Sequence, residues 1–283
     1  MSTDKFCTYE TAWCPGCGNF SILECLKKAL EELDMDPYEV LMVAGIGQAA
    51  KTPQYISANS FCGLHGRSLP AAVAAKIANK NLTVIVDTGD GDSYGEGGNH
   101  FIHNIRRNVD ITHFVHDNQI YGLTKGQASP TSSEGQITDV QPTGSINAPL
   151  NPVLLAIAAG AGFVARAFSG DKEHLVSIMK QAILYKGYAL VDILQPCVSF
   201  NRVNTFAYYK KRVYRLDDSY DNHNKTVAIQ KSMEYGDRIP IGVIYQEQKR
   251  TFHEKNIVLS SGKPLIDMQY NINFVQKIIE EFI

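Results

Sequence analysis

The chain has 283 residues, 44% hydrophobic and 20% charged, which is ordinary globular usage and enough to bury a core. These proportions exclude a disordered or coiled-coil chain and suit one large domain, or one domain with an appendix. A formal charge of −2 gives no general basic field for nucleic acid, and no run of about 18 apolar residues offers a membrane span, so neither partner is expected.

In chain order, Met1 to Glu10 is polar and mixed in charge, with neither a secretion signal nor the Arg-rich face of a transit peptide, so a cytoplasmic location is expected. Ile22, Leu26, Leu30 and Leu33 recur at helical spacing before Met35-Asp36-Pro37, and Val40 to Ala44 reads as a strand ending at Gly45. Leu69 to Ala78 is an Ala-rich helix. Leu82 to Val86 is β-branched and apolar, as a strand buried on both faces should be. A helix over Gly98 to Arg107 and a strand over Ile111 to Val115 follow. Residues 126 to 152 form a loop dense in Gly, Pro, Ser and Thr, of a length usual for lids and binding loops. Beyond it come a helix at Pro152 to Ala159, a strand at Phe163 to Ala167, a helix at Lys172 to Tyr185 and a strand at Tyr188 to Leu194. This alternation predicts an α/β class with a doubly wound, mostly parallel sheet over residues 1 to 197. Residues 198 to 283, with one helical stretch from Lys225 to Tyr235, are expected to form a C-terminal extension packed on the domain or on a partner.

In open α/β sheets ligands lie outside the carboxyl ends of the strands. Gly89-Asp90-Gly91-Asp92 follows one predicted strand and Asp117-Asn118-Gln119-Ile120-Tyr121-Gly122 the next. An Asp carboxylate, an Asn amide oxygen and a loop carbonyl are three hard ligands that suit Mg²⁺ with diphosphate oxygens completing its shell. A solvated turn would read the same way. No Walker sequence occurs, the dinucleotide glycine fingerprint is out of register, and a calcium loop starting at Asp90 would need Glu where Phe101 stands.

Together the two clusters resemble the thiamine diphosphate motif: Gly89-Asp90-Gly91, then 25 residues, then Asp117-Asn118 in place of an Asn-Asn pair. More of the chain resembles one family, the β subunits of 2-oxoacid:ferredoxin oxidoreductases. The resemblance is carried by Trp13-Cys14-Pro15-Gly16-Cys17-Gly18, Gly45-Ile46-Gly47, Leu64-His65-Gly66-Arg67, Gly89 to Asn108, Tyr121 to Thr131, Gln195-Pro196-Cys197 and Tyr235 to Gly242. It implies Mg²⁺ held by Asp90, Asn118 and the Ile120 carbonyl. It also implies thiamine diphosphate held by Ile46, Gly47, Gln48, Ala49, His65, Gly91, Asp92, Gly122 and Leu123, with substrate read by Lys51 and Leu123. Lys51 would pair with the distal carboxylate of 2-oxoglutarate; a surface lysine would read the same, and pyruvate stays open.

The chain has six cysteines, too few and too unevenly spaced for a disulfide scaffold. The family's 4Fe-4S cluster takes four thiolates, of which this chain supplies Cys14, Cys17 and Cys197, with Gln48 at the remaining position. Either Gln48, water or Cys62 completes the set, or the cluster is altered or lost; retention is expected because the other three positions are present. Cys14-Pro15-Gly16-Cys17 as a redox dithiol would need a preceding core strand, which Lys5 to Glu10 does not make. Zinc would need a second ligand pair. His100 and His103 read as packing residues, and Arg106-Arg107 as a solvated helix end.

The resemblance thus implies oxidative decarboxylation of a 2-oxoacid to acyl-CoA and CO₂, with ferredoxin, coenzyme A and an α subunit as partners in a hetero-oligomer. No catalytic acid or base is named on this chain, because the family's thiamine-activating Glu belongs to the α subunit. The alternatives are a thiamine-dependent decarboxylase or synthase without electron transfer, and a non-catalytic redox or binding subunit.

Overall fold

Residues 5–269 and 271–283 are described by the computed structural model; Met1 to Asp4, the first part of the polar N-terminal stretch, and Tyr270 lie outside the described residues. Strands β1 (Val40–Ala44), β2 (Asn59–Cys62), β3 (Thr83–Gly89), β4 (Ile111–Asp117), β5 (Phe163–Phe168), β6 (Tyr188–Leu194), β7 (Val213–Arg215) and β8 (Ile239–Gln246) form one sheet in the order β2-β1-β3-β4-β6-β5-β8-β7. From β2 to β5 all neighbours are parallel; β8 runs antiparallel to β5, and β7 parallel to β8. This is the doubly wound, mostly parallel α/β sheet that the alternating patterns predict.

Both faces are covered, so successive strand residues enter opposite cores. Ile85 and Phe114 pack with Ile22 and Leu26 of α1 (Gly18–Glu32) and with Leu175 and Met179 of α5 (Lys172–Leu184). Their neighbours Val84, Val86 and Val115 pack on the other face. There they meet Leu69 of α2 (Ser68–Ala78), Phe101 of α3 (Gly98–Arg107) and Val153 of α4 (Pro152–Ala159).

After residue 197 the chain builds α6 (Phe206–Arg212), β7, α7 (Lys225–Ser232), β8, α8 (Phe252–Lys255) and α9 (Ile272–Glu280). Ile239, Ile241 and Tyr209 share one apolar cluster with Phe168 and Leu194, so this segment completes the sheet around residues of the preceding strands. Among the described residues no helix is long and apolar enough to cross a membrane.

Register brings the polar segments together. Gly89 lies opposite His116, and Asp117 opposite Leu194, while Val43 pairs with Val86. The segments Gly45 to Gly47, Gly89 to Asp92, Asn118 to Leu123 and Gln195 to Cys197 therefore all leave the carboxyl ends of four adjacent parallel strands.

Candidate functional site

The first cavity at this edge is lined by Ile46, Gly47, Gln48, Ala49, His65, Gly89, Asp90, Gly91, Asp92, Asn118, Ile120, Tyr121, Gly122, Leu123 and Thr124. Asp92 organises its floor. One carboxylate oxygen accepts from the backbone N–H of Ile46 (3.0 Å) and of Gly66 (2.7 Å) and meets His65 Nδ1 at 2.7 Å. Burial pushes this carboxyl above its ordinary range, while those three partners pull it back toward ionisation. The turn after β1 can approach so closely because residue 45 is glycine: any Cβ there would overlap the Asp92 carboxylate. At Gly47, with φ +142°, and at Gly89, a Cβ would meet nothing within 4 Å, so glycine leaves open cradle space at both positions.

Asp90 is 2% exposed, and its Oδ2 accepts from Ser129 Oγ (2.5 Å) and Thr131 Oγ1 (2.6 Å), both in the Gly- and Ser-rich loop. Thr131 Oγ1 is also 2.7 Å from Asp117 Oδ1. A hydroxyl has one proton to give, so Thr131 can donate to only one of these two carboxyl groups at a time. Burial, then the charges of Asp192 and Asp90, push the Asp117 carboxyl well above the usual range, and burial raises Asp90 as well. In its protonated form, which burial favours, Asp117 has the shape of Asn and one donor, as the motif's usual residue does. Asn118 Oδ1 accepts from the Ile120 N–H (3.0 Å), which folds the loop so that Asn118 and Ile120 share the cavity with Asp90. A carboxylate, an amide oxygen and a carbonyl in one cavity fit a hard, oxygen-seeking cation.

The second cavity adjoins the first. Trp13, Cys14, Cys17, Asn19, Gln48, Asn118, Gly122, Gln195, Cys197 and the three residues after it line it, so Gln48, Asn118 and Gly122 belong to both walls. A turn with Gly16 at φ +79° and a Cys17 N–H donating to the Cys14 carbonyl (3.0 Å) brings the first two thiols to the start of α1. Trp13 Nε1 donates to the Gln48 carbonyl (2.8 Å), fastening that turn to the one after β1. Gln195 Nε2 donates to the Pro196 carbonyl (2.8 Å) and lies 3.5 Å from Cys17 Sγ. Burial pushes the Cys17 thiol up to about 11. Three thiols and the Gln48 amide in one cavity are a donor set suited to an iron-sulfur cluster. Cys62 ends β2 and lines a separate hollow with Phe61, Leu64 and Arg67. Among the described residues, no group of three or more His, Cys, Asp or Glu is placed to hold a single metal ion.

Residues 40–193 match the family described as thiamine pyrophosphate enzyme, C-terminal TPP binding domain, and residues 197–261 match the C-terminal family of the pyruvate ferredoxin oxidoreductase beta subunit. A 2-oxoacid:ferredoxin oxidoreductase subunit beta from Saccharolobus solfataricus is 48% identical over 258 residues, covering 87% of this chain and 85% of the relative. The chain belongs to the 2-oxoacid:ferredoxin oxidoreductase beta subunits. The same family includes the 2-oxoglutarate synthase subunit KorB of Methanocaldococcus jannaschii, 36% identical over 244 residues, which cover 86% of this chain and 90% of that one. A solved 2-oxoglutarate:ferredoxin oxidoreductase from Magnetococcus marinus, with 2-oxoglutarate, coenzyme A and succinyl-CoA bound, superposes with a TM-score of 0.89. It is 32% identical, and the match covers 95% of this chain and 92% of that one.

As a beta subunit of this family, the chain gathers its sequence-derived candidates unevenly. Ile46 to Ala49, His65, Asp90 to Asp92, Asn118, Ile120, Gly122 and Leu123 share the first cavity, and Cys14, Cys17, Cys197 and Gln48 the second. Lys51 does not line either; it lies in the short helical turn Ala49–Gln54, half-buried. Sequence reading assigns no site role to Gly45, Tyr121, Ser129 and Thr131. The last three lie inside the Tyr121 to Thr131 stretch, and only their contacts with Gly91 and Asp90 reveal what they do.

Proposed function

We propose that this beta subunit binds Mg²⁺-thiamine diphosphate in the first cavity, with Asp90, Asn118 and the Ile120 carbonyl on the metal. In complex with an α subunit it oxidatively decarboxylates a 2-oxoacid to acyl-CoA and CO₂, and electrons leave through a 4Fe-4S cluster at Cys14, Cys17 and Cys197 to ferredoxin. The observation that carries this reading is that the two cavities share Gln48, Asn118 and Gly122, so a reducing centre and an electron acceptor would be neighbours. Bound thiamine diphosphate supplies the electron sink that lets CO₂ leave a 2-oxoacid. The residues of this chain shape and hold the site. Gly47 and Gly89 leave room for the cofactor, Gly91 admits the Tyr121 ring, and Asp92 holds the turns that carry Ile46 and His65. Ser129 and Thr131 hold the Asp90 carboxylate in place.

The preferred substrate is 2-oxoglutarate, supported by the KorB relatives and the Magnetococcus enzyme, with Leu123 at the cavity wall; Lys51, off that wall, would have to turn toward it to pair with the distal carboxylate. The setting is cytoplasmic, and residues 198–283 form the extension that completes the sheet and faces other subunits.

Calorimetry on the complex co-expressed with its α subunit tests the metal assignment. Asp90→Ala is expected to abolish measurable Mg²⁺-thiamine diphosphate binding, and an unchanged affinity would sink it.

A further inference from the structure

The cysteine cavity holds three thiols where a cubane iron-sulfur cluster takes four protein ligands. Cys62, the alternative fourth thiol, opens into the hollow beside Phe61 and Leu64 instead. Two carboxamides line the cavity with an unpartnered buried oxygen, Gln48 and Gln195. The Gln195 amide is already committed, because its nitrogen donates to the Pro196 carbonyl and approaches Cys17 Sγ. It is packed so tightly under the start of α1 that a Cβ on Gly18 would come within 2.8 Å of its Cγ. Both Oε1 atoms are unpartnered, but among the described residues the Gln48 side chain makes no hydrogen bond that would hold its amide in place. Its backbone is fixed by Trp13, and its side chain forms part of the wall between the two cavities. A buried amide oxygen without a partner costs about 1–3 kcal/mol, so its retention calls for a ligand.

We propose that Gln48 Oε1 is the fourth ligand of the cluster, binding one iron while Cys14, Cys17 and Cys197 bind the other three. The inference rests on the cluster reading above and adds the identity of the unique site. An amide oxygen is neutral and harder than thiolate, so the cluster carries one negative charge fewer than its all-thiolate form. Two consequences follow: a higher reduction potential, and one iron that is held more weakly than the rest. Gln48 lines both cavities, so an iron bound to it would lie beside the thiamine cavity, on the side from which electrons would arrive.

The test uses the complex purified without oxygen, read by iron content, Mössbauer spectra and electron paramagnetic resonance. Mild ferricyanide takes one electron from a cluster with a weakly held iron, a ferrous ion leaves, and a three-iron cluster with its own resonance signal forms. Wild type is expected to convert. Gln48→Cys should lose the conversion and show a lower cluster potential, and Gln48→Ala should be isolated already in the three-iron form. Gln195→Ala should keep four irons and still convert, with the cluster potential shifted by loss of the amide beside Cys17 Sγ. The assignment is overturned if Gln48→Ala keeps the wild-type spectrum, if Gln48→Cys converts as readily as wild type, or if Gln195→Ala is the variant that loses the fourth iron. A wild-type complex without iron is a different failure, since it removes the cluster itself.

Discussion

Gly45 shows how much one missing methyl group can decide. It lets the turn after β1 close onto Asp92, whose single oxygen gathers Ile46 N–H, Gly66 N–H and His65. Gly45→Ala forces that carboxylate aside. We expect a stability loss of about 1–3 kcal/mol by chemical denaturation and a fall of at least about tenfold in thiamine diphosphate affinity by calorimetry. Wild-type affinity in a folded Gly45→Ala complex would show that the Asp92 hub does not shape the cofactor cavity. At this scale the site was half legible in the sequence. Asp90, Asp92 and Asn118 could be placed because each follows a strand end, where side chains converge whatever the rest of the fold does. Ser129 and Thr131 could not be given a role, because their hydrogen bonds to Asp90 span 39 and 41 residues and belong to a loop without periodicity. Lys51 shows the opposite limit: its charge was legible but its position was not, since three positions of chain beyond Gln48 carry it around a helical turn and off the cavity wall.

Among elements, the join between α3, β6 and the segment before α8 depends on Asn108. It ends α3 in the left-handed conformation at φ 55°, which Asn adopts more readily than other side-chain-bearing residues. Its side-chain oxygen accepts the Tyr188 N–H (2.9 Å), and its amide nitrogen donates to the Arg250 carbonyl (3.1 Å). Asn108→Ala keeps the strained backbone and leaves both backbone groups unpaired in a site only 3% exposed. A loss of about 2–4 kcal/mol is expected, read as a lower urea midpoint; a shift below about 0.5 kcal/mol would mean the join is held elsewhere. The elements most visible in the sequence were those with strong periodicity, namely the central strands and α1, α2 and α5. β2 was not, because Asn59–Cys62 is a wholly exposed edge strand with no apolar face to mark it. The carboxyl end of β3 was missed, because the polar residues there, Asp87 and Thr88, are buried against expectation.

For the molecule as a whole, building a polar site at the carboxyl ends of a buried sheet leaves ionisable groups where charge is unwelcome, and stability must then depend on pH. Two groups act in opposite directions. His113, wholly buried between Tyr188, Thr88 and Ser93, is pushed down to about 3 by burial. The fold therefore keeps the ring neutral, and that stability, present above the ordinary histidine range, is lost as pH falls toward about 3. Asp192, whose carboxyl accepts from Tyr94 (2.8 Å) and lies 4.0 Å from Arg166 Nε, is pushed up to about 6, burial outweighing the pull of the guanidinium. Here the fold favours the protonated form. Its contribution is complete below the unfolded carboxyl's value of 3.8 and is lost as pH rises through about 6, a change on the order of 3 kcal/mol. Asp117, raised further, adds to the same trend at higher pH. Asp192→Asn keeps the acceptor for Tyr94 but removes the titration, so its unfolding free energy should gain on wild type by about that amount between about pH 4 and about pH 7. Urea denaturation across that range measures the difference directly. A constant offset between the two proteins at every pH would mean that Asp192 titrates alike in the folded and unfolded chains, and that the buried strand ends carry their charge at no cost.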